Sequence, residues 1–338
     1  MDGDPILSIE DLHVWFKVYG GVMKVLEGAS LTVGLGERVG LVGESGCGKT
    51  TTMKAVLRIL SKQAVVPAGR ILFQGRDVLK MRGRELQALR GQKLSMIFQD
   101  PTASLNPVFT IGEQIRDAIK YSGFVSRNGP KARDIAVQAL RDCAMPDPER
   151  IMNNYPFQLS GGMRQRVCIA TALATAGSLL VADEPTTNLD VTIQDQVLEL
   201  MHSLVQEKGT SFILITHSLG VAREMTDRIY VMYAGRMVEV APTEVIFEHP
   251  CHPYTQGLLH SIPKLTGEGM MEGIPGRLPS YLNPPSGCRF YPRCAQVLPE
   301  CQAQKPPLFE IAKGHQVACF RYQNQSAGSP GEGCECIG

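Results

Sequence analysis

Apolar and polar positions along the chain fall into alternating textures. Ile6 to Phe16 and Val22 to Val33 are β-rich runs that read as strands, and a third, Glu37 to Val42, leads directly into a glycine-rich segment. Lys49 to Leu60 reads as the helix behind that segment. The alternation returns after residue 165 with helix Met163 to Thr175, strand Leu179 to Ala182, helix Thr192 to Gln206, strand Phe212 to Thr216, and two short strands around Ala234 and Gly235. In Thr192 to Gln206 the apolar Ile193, Val197, Leu200, Met201 and Leu204 keep helical spacing, so this face is expected to pack on a sheet. Strands alternating with helices predict an α/β fold with a parallel sheet covered on both faces.

Residues 100–156 interrupt that pattern. Helical stretches Ile111 to Tyr121 and Lys131 to Cys143, separated by Gly and Pro, read as a helical insertion. After about His249 prolines crowd in and periodic runs become few, which predicts a separate loop-rich C-terminal module. The Gly- and Ser-rich end, residues 325–338, is expected to be disordered.

Composition narrows the function classes. A chain of 338 residues can bury a full core, and 34 Lys plus Arg against 33 Asp plus Glu leave no net field to recruit nucleic acid. The opening MDGDPILSIE has no apolar core of a secretory signal. The longest uncharged run, Val167 to Ala182, falls short of the roughly 18 apolar residues of a membrane span and reads as a buried helix followed by a buried strand. Ten cysteines without an export signal point to thiols or metal ligands rather than disulfides.

The glycine-rich segment is GESGCGKT, Gly43 to Thr50, which fits the phosphate-loop pattern between a strand and a helix. In that pattern the backbone amides of Gly43, Glu44, Ser45, Gly46, Cys47 and Gly48 wrap phosphates, with Thr51 in the first helical turn. Lys49 reaches the β- and γ-phosphates and the Thr50 hydroxyl ligates Mg²⁺. Strand Leu179 to Ala182 ends in Asp183 and Glu184. An acid there suits the Mg²⁺ shell at Asp183, and Glu184 is the candidate to polarise an attacking water. His217 follows another strand and is a candidate donor to developing charge, although a lone His at a strand end is as a rule structural. Gln99 ends an apolar strand at the border of the helical insertion, as a candidate contact to Mg²⁺ or to the water. LSGGMRQR, Leu159 to Arg166, sets Ser160, Gly161 and Gly162 at a helix start, where unpaired amides and the helix dipole favour an anion. The chain thus carries two phosphate-type sites.

These residues, in this order, resemble the ATP-binding cassette (ABC) ATPases. FQDPTASLNP at Phe98 to Pro107, YPFQLSGGMRQR at Tyr155 to Arg166, HPYTQGLL at His252 to Leu259 and IPG at Ile274 to Gly276 resemble in particular the oligopeptide, dipeptide and nickel importer branch. The resemblance implies a P-loop NTPase (RecA-like) core with a helical subdomain at about residues 100–165 and an N-terminal antiparallel β element. The ATPase domain spans residues 1–248 and a small Cys/Pro-rich C-terminal module spans 249–324. It implies ATP and Mg²⁺ bound where two cassettes pack head to tail, with Ser160, Gly161, Gly162 and Asp190 serving the nucleotide of the other cassette. Tyr19 is the candidate to stack on adenine, with Trp15 and Phe16 as competitors and core packing as the plain alternative for all three. Two residues depart from the branch pattern: Asn188 stands where Ala is usual, and Ser218 follows the histidine where Asp is usual.

Cys288, Cys294 and Cys301 are spaced C-x5-C-x6-C, and Cys319 follows; four thiols in a proline-rich segment suggest a metal staple. Some members of the resembled branch hold a [4Fe-4S] cluster in such a module; Zn²⁺ and unmetallated thiols stay open, as does Cys334 or Cys336 in place of Cys319. Cys143, Cys168 and Cys251 read as packing thiols. The implied role is the ATP-hydrolysing motor of a peptide-type importer, peripheral on the cytoplasmic face of the cell membrane. Its implied partners are a second and usually different ABC ATPase subunit, two transmembrane permease subunits and an extracytoplasmic substrate-binding protein. The alternatives are a soluble ABC ATPase of iron–sulfur assembly, translation or DNA repair, and a regulatory nucleotide binder.

Overall fold

The N-terminal β-rich runs form the strands Leu7–Val18 and Gly21–Val33, joined through Tyr19 and Gly20, whose φ of 90° costs a glycine nothing. Leu7–Val18 pairs antiparallel with Arg70–Phe73 and, further along, with Ala64–Val65, strands too short to announce themselves by periodicity. The structure is a computed structural model that describes residues 4–123, 130–175, 177–187, 189–262 and 273–324. Asn188, Cys334, Cys336 and the 325–338 tail therefore lie outside the described residues. The chain divides into two units, one of Met1–Ile6, Val33–Glu37 and Asp77–Leu214, the other of Leu7–Thr32, Arg38–Arg76 and Ile215–Gly338.

In the first unit Leu179–Asp183 is wholly buried and pairs in parallel with Leu94–Ile97. The helical insertion holds Ile111–Ser122 and Pro130–Asp142. Thr110 starts the former with a capping box: its hydroxyl accepts from Glu113 N at 3.3 Å, while Glu113 Oε2 accepts from Thr110 N at 2.8 Å. A cap of this kind stabilises a helix by about 1 kcal/mol. Helix Val191–Lys208 buries Val197, Met201 and Leu204 of the expected face, with Leu198 and Val205 beside them. Leu198 and Val205 replace Ile193 and Leu200, because the apolar residues span more of the helix than one stripe and packing chooses among them.

In the second unit Arg38–Val42 pairs in parallel with Arg228–Tyr233, which turns back through Ala234 and Gly235 into the antiparallel Arg236–Pro242. Both turn residues have positive φ, 44° and 82°, as a two-residue hairpin requires. The proline-rich segment is not a separate piece. Its strand His315–Val317 adds antiparallel to Arg236–Pro242, Phe309–Ala312 adds to that, and Tyr254 and Phe290 pack against Tyr233 with ring centroids 4.7 and 5.0 Å away. Low periodicity in the sequence reflected short elements rather than the lack of a shared core.

Glu239, fully buried, accepts hydrogen bonds from Cys251 N, His252 N and His315 Nε2 at 2.7 to 2.9 Å. Cys251 is disulfide-bonded, not the expected packing thiol, and the other seven described cysteines are free. The compartment argument from composition does not reach this one buried cysteine. Among the described residues no helix is long and apolar enough to cross a membrane.

Candidate functional site

The phosphate loop lies in the second unit. Gly43, Gly46 and Gly48 have φ of 157°, 81° and 112°; a Cβ on Gly43 would stand 2.1 Å from Met232 O, so this position admits only glycine. Helix Lys49–Val56 begins at Gly48 with no side-chain cap, which leaves its first amides for an anion. Lys49, buried, donates from Nζ to Gly43 O at 2.6 Å and to Glu44 O at 3.1 Å. The loop's own shape thus sets where the ammonium sits. Ser45 and Gly46 are exposed, Thr50 and Thr51 are half-buried in the first turn, and Cys47 is buried with its thiol pushed up by burial.

His217 is exposed at the end of Ser211–Thr216 in this unit. Ser218 caps the following helix, its hydroxyl accepting from Val221 N at 3.4 Å. Ser and Asp are near-equal caps, so the departure at Ser218 keeps the local geometry. Tyr19 is fully exposed at the hairpin tip, whereas Trp15 and Phe16 are half-buried in their strand. Its ring is free to stack.

The acidic pair and Gln99 lie in the first unit. Asp183 is buried at the strand end, and Glu184 sits just beyond at φ 46°, a left-handed conformation that costs a non-glycine residue. Gln99 Nε2 donates to Glu184 Oε2 at 2.9 Å, and Thr187 Oγ1 donates to the same oxygen at 3.1 Å. Two donors fix the carboxylate's orientation and leave Gln99 Oε1 for another partner. The Asp183 carboxylate and the Gln99 amide oxygen are hard oxygen donors of the kind that Mg²⁺ takes.

Ser160 caps helix Gly161–Ala174, its hydroxyl accepting from Met163 N at 3.3 Å, with no acid in the first turn to oppose an anion. A Cβ on Gly162 would lie 2.7 Å from Ile193 Cγ2, three residues past Asp190, which caps Val191–Lys208. The first unit therefore brings the LSGGM helix start and Asp190 together. The small size of Gly162 permits this approach.

Cys288, Cys294, Cys301 and Cys319 are all free thiols of the second unit. Burial pushes Cys288 and Cys294 up and Cys319 up to about 11, and neighbouring thiols of the set add in the same direction, which brings the four to one locality. Cys288 N donates to Cys301 O at 2.8 Å and Gln296 N to Cys294 Sγ at 3.4 Å. Four soft sulfur donors fit a thiolate-bound metal. Among the described residues only Glu239, Cys251 and His315 put three ligand atoms within 4.8 Å of one another, so no three of these thiols do. Sulfurs around a tetrahedral zinc lie about 3.8 Å apart. The sequence reading missed three side chains that brace the phosphate loop, Tyr254, Tyr281 and Arg293.

The ABC transporter family matches residues 26–187, and the oligopeptide/dipeptide transporter C-terminal region matches residues 238–301. The chain is 43% identical over 315 residues to the oligopeptide transport ATP-binding protein OppD of Bacillus subtilis, covering 92% of this chain and 87% of that one. It is 41% identical over 326 residues to the dipeptide transport ATP-binding protein DppD of the same organism, covering 96% of each. Among solved structures it is similar to a dimeric ATP-binding cassette in a post-hydrolysis state bound to ADP and Pi, with a TM-score of 0.63 and 26% identity, covering 70% of this chain and 98% of that one.

Proposed function

The chain belongs to the ABC transporter ATPases, and on that premise we propose that it is the ATP-hydrolysing motor subunit of a peptide importer. The observation that carries this reading is the likeness, over nearly the whole chain and including the C-terminal region, to ATP-binding proteins of oligopeptide and dipeptide transport.

In this reading the phosphate loop and Lys49 hold the triphosphate, Tyr19 stacks on the base, and Thr50, Asp183 and Gln99 hold Mg²⁺, which supplies charge neutralisation on the phosphate oxygens. Glu184 accepts the proton of a water as that water attacks the γ-phosphorus and the bond to ADP breaks. The hydrogen bonds from Gln99 and Thr187 support that role by holding the acceptor oxygen. His217 donates to the developing charge. Ser160, Gly161, Gly162 and Asp190 serve the nucleotide of a second cassette. ATP stabilises the closed pair and hydrolysis removes that preference, which moves the membrane subunits.

Exposed Val108, Phe109 and Phe157 on the helical insertion support its role as the dock for two permease subunits at the cytoplasmic face. An extracytoplasmic binding protein then delivers the peptide. The four cysteines form a [4Fe-4S] site in this reading, supported by four free thiols gathered in one locality. The residue 1–248 core and the 249–324 module act as one ATPase. Isolation from membranes tests the assignment: permease subunits and a second cassette copurify, and recovery with no membrane partner contradicts it.

A further inference from the structure

Three segments that the ATP chemistry leaves unused converge on one residue of the phosphate loop, Glu44, or on the arginine that grips it. From HPYTQGLL, Tyr254 Oη accepts a hydrogen bond from Glu44 N at 2.9 Å. From YPRC, Arg293 grips the carboxylate with both arms, Nη1 to Oε2 at 2.8 Å and Nη2 to Oε1 at 2.9 Å. From IPG, the carbonyls of Ile274 and Pro275 each accept from Arg293 at 2.9 Å. Tyr233 Oη takes the fifth N–H at 3.5 Å, so every donor of the guanidinium is used. Gly276, at φ 89°, passes so close that a Cβ would lie 3.1 Å from Arg293 Cγ. Tyr281 adds a fourth brace, donating to Gly46 O at 2.7 Å.

This attachment falls on a loop whose purpose is to receive a polyanion. Glu44 sets a carboxylate within the loop itself, where it opposes the triphosphate. The Arg293 side chain, only 5% exposed, cancels that charge in a partly buried bidentate pair, the Glu44 side chain being 29% exposed. The same grip fixes the backbone whose carbonyls at Gly43 and Glu44 hold Lys49 Nζ. We propose that Arg293 is a positioning residue of the ATPase reaction: from the C-terminal module it neutralises Glu44 and holds the phosphate loop in the form that accepts a nucleoside triphosphate. The proposal rests on the ATPase reading above.

The test uses the full chain and a fluorescent ATP analogue. Binding by the unaltered protein is the control, and its absence counts against the ATPase reading itself. Arg293→Met is expected to raise Kd for the analogue and KM for ATP at least about tenfold, with kcat at saturating ATP within about twofold, because a partly buried carboxylate beside the triphosphate loses its partner. Adding Glu44→Gln removes that stranded charge and is expected to bring Kd back to within about threefold of wild type. Wild-type affinity in the single variant, or no recovery in the double variant, overturns the proposal. Should Arg293→Met not fold, Arg293→Lys keeps the charge but loses the fork. A Kd raised at least about threefold supports the proposal and an unchanged Kd overturns it.

Discussion

Gln99 Nε2 and Glu184 Oε2 are joined by a 2.9 Å hydrogen bond between the border of the helical insertion and the end of a buried strand. The bond ties the orientation of a candidate general base to the segment proposed to meet the membrane subunits. Glu184→Gln is expected to keep ATP binding and lower turnover by about a thousandfold. Gln99→Ala is expected to lower turnover by about tenfold and to cost less in the Glu184→Gln background, since part of its effect acts through that carboxylate. Additive losses in steady-state ATPase assays contradict this coupling.

Ser160 caps a helix that has no phosphate loop of its own. In a mixed pair, Ser160→Ala is expected to reduce hydrolysis of the nucleotide on the partner cassette by at least about tenfold. Nucleotide binding at Lys49 of the altered chain stays within about twofold. Nucleotide trapping with distinguishable cassettes reads the two sites separately; a loss confined to the altered chain's own loop contradicts the assignment.

His252 is fully buried, and its ring accepts from Tyr254 N at 3.0 Å through Nδ1, which requires that nitrogen unprotonated. Burial holds its pKa down at about 4 against an ordinary 6.5, so the folded protein keeps the ring neutral. Above 6.5 neither state binds the proton and the stability contribution is complete; it is lost as pH falls from 6.5 toward 4, where only the unfolded chain protonates. The loss amounts to about 3 kcal/mol. Denaturant unfolding across that range is expected to show the slope in wild type and a flatter profile in His252→Gln. Equal slopes contradict it.

Much of this was legible because the chemistry is local. The phosphate loop and the acidic pair each occupy a few consecutive residues between a strand and a helix, the LSGGM start occupies the head of one helix, and each kept that setting. The Arg293–Glu44 pair joins residues 249 apart and leaves no periodic trace. The buried stripe of Val191–Lys208 was misread because Ile193 looks like a core position, whereas its contact is with Gly162. The strands His315–Val317 and Phe309–Ala312 are too short for a period-two pattern, which hid the join of the proline-rich segment to the sheet.

The cysteine site makes a separate prediction. Protein purified without oxygen is expected to be brown and to hold about four irons and matching acid-labile sulfide per chain. Any one of Cys288→Ser, Cys294→Ser or Cys301→Ser is expected to lower the iron content at least about fivefold. Zinc without iron contradicts the cluster.

In the reading proposed above, ATP hydrolysis at this chain drives peptide uptake. The most direct measurement reconstitutes the complete complex in vesicles and follows labelled-peptide uptake alongside phosphate release. Uptake that requires ATP, tracks hydrolysis, and disappears with it in Lys49→Ala is the predicted result; uptake that persists in Lys49→Ala, or hydrolysis with no peptide movement in the intact complex, contradicts the account.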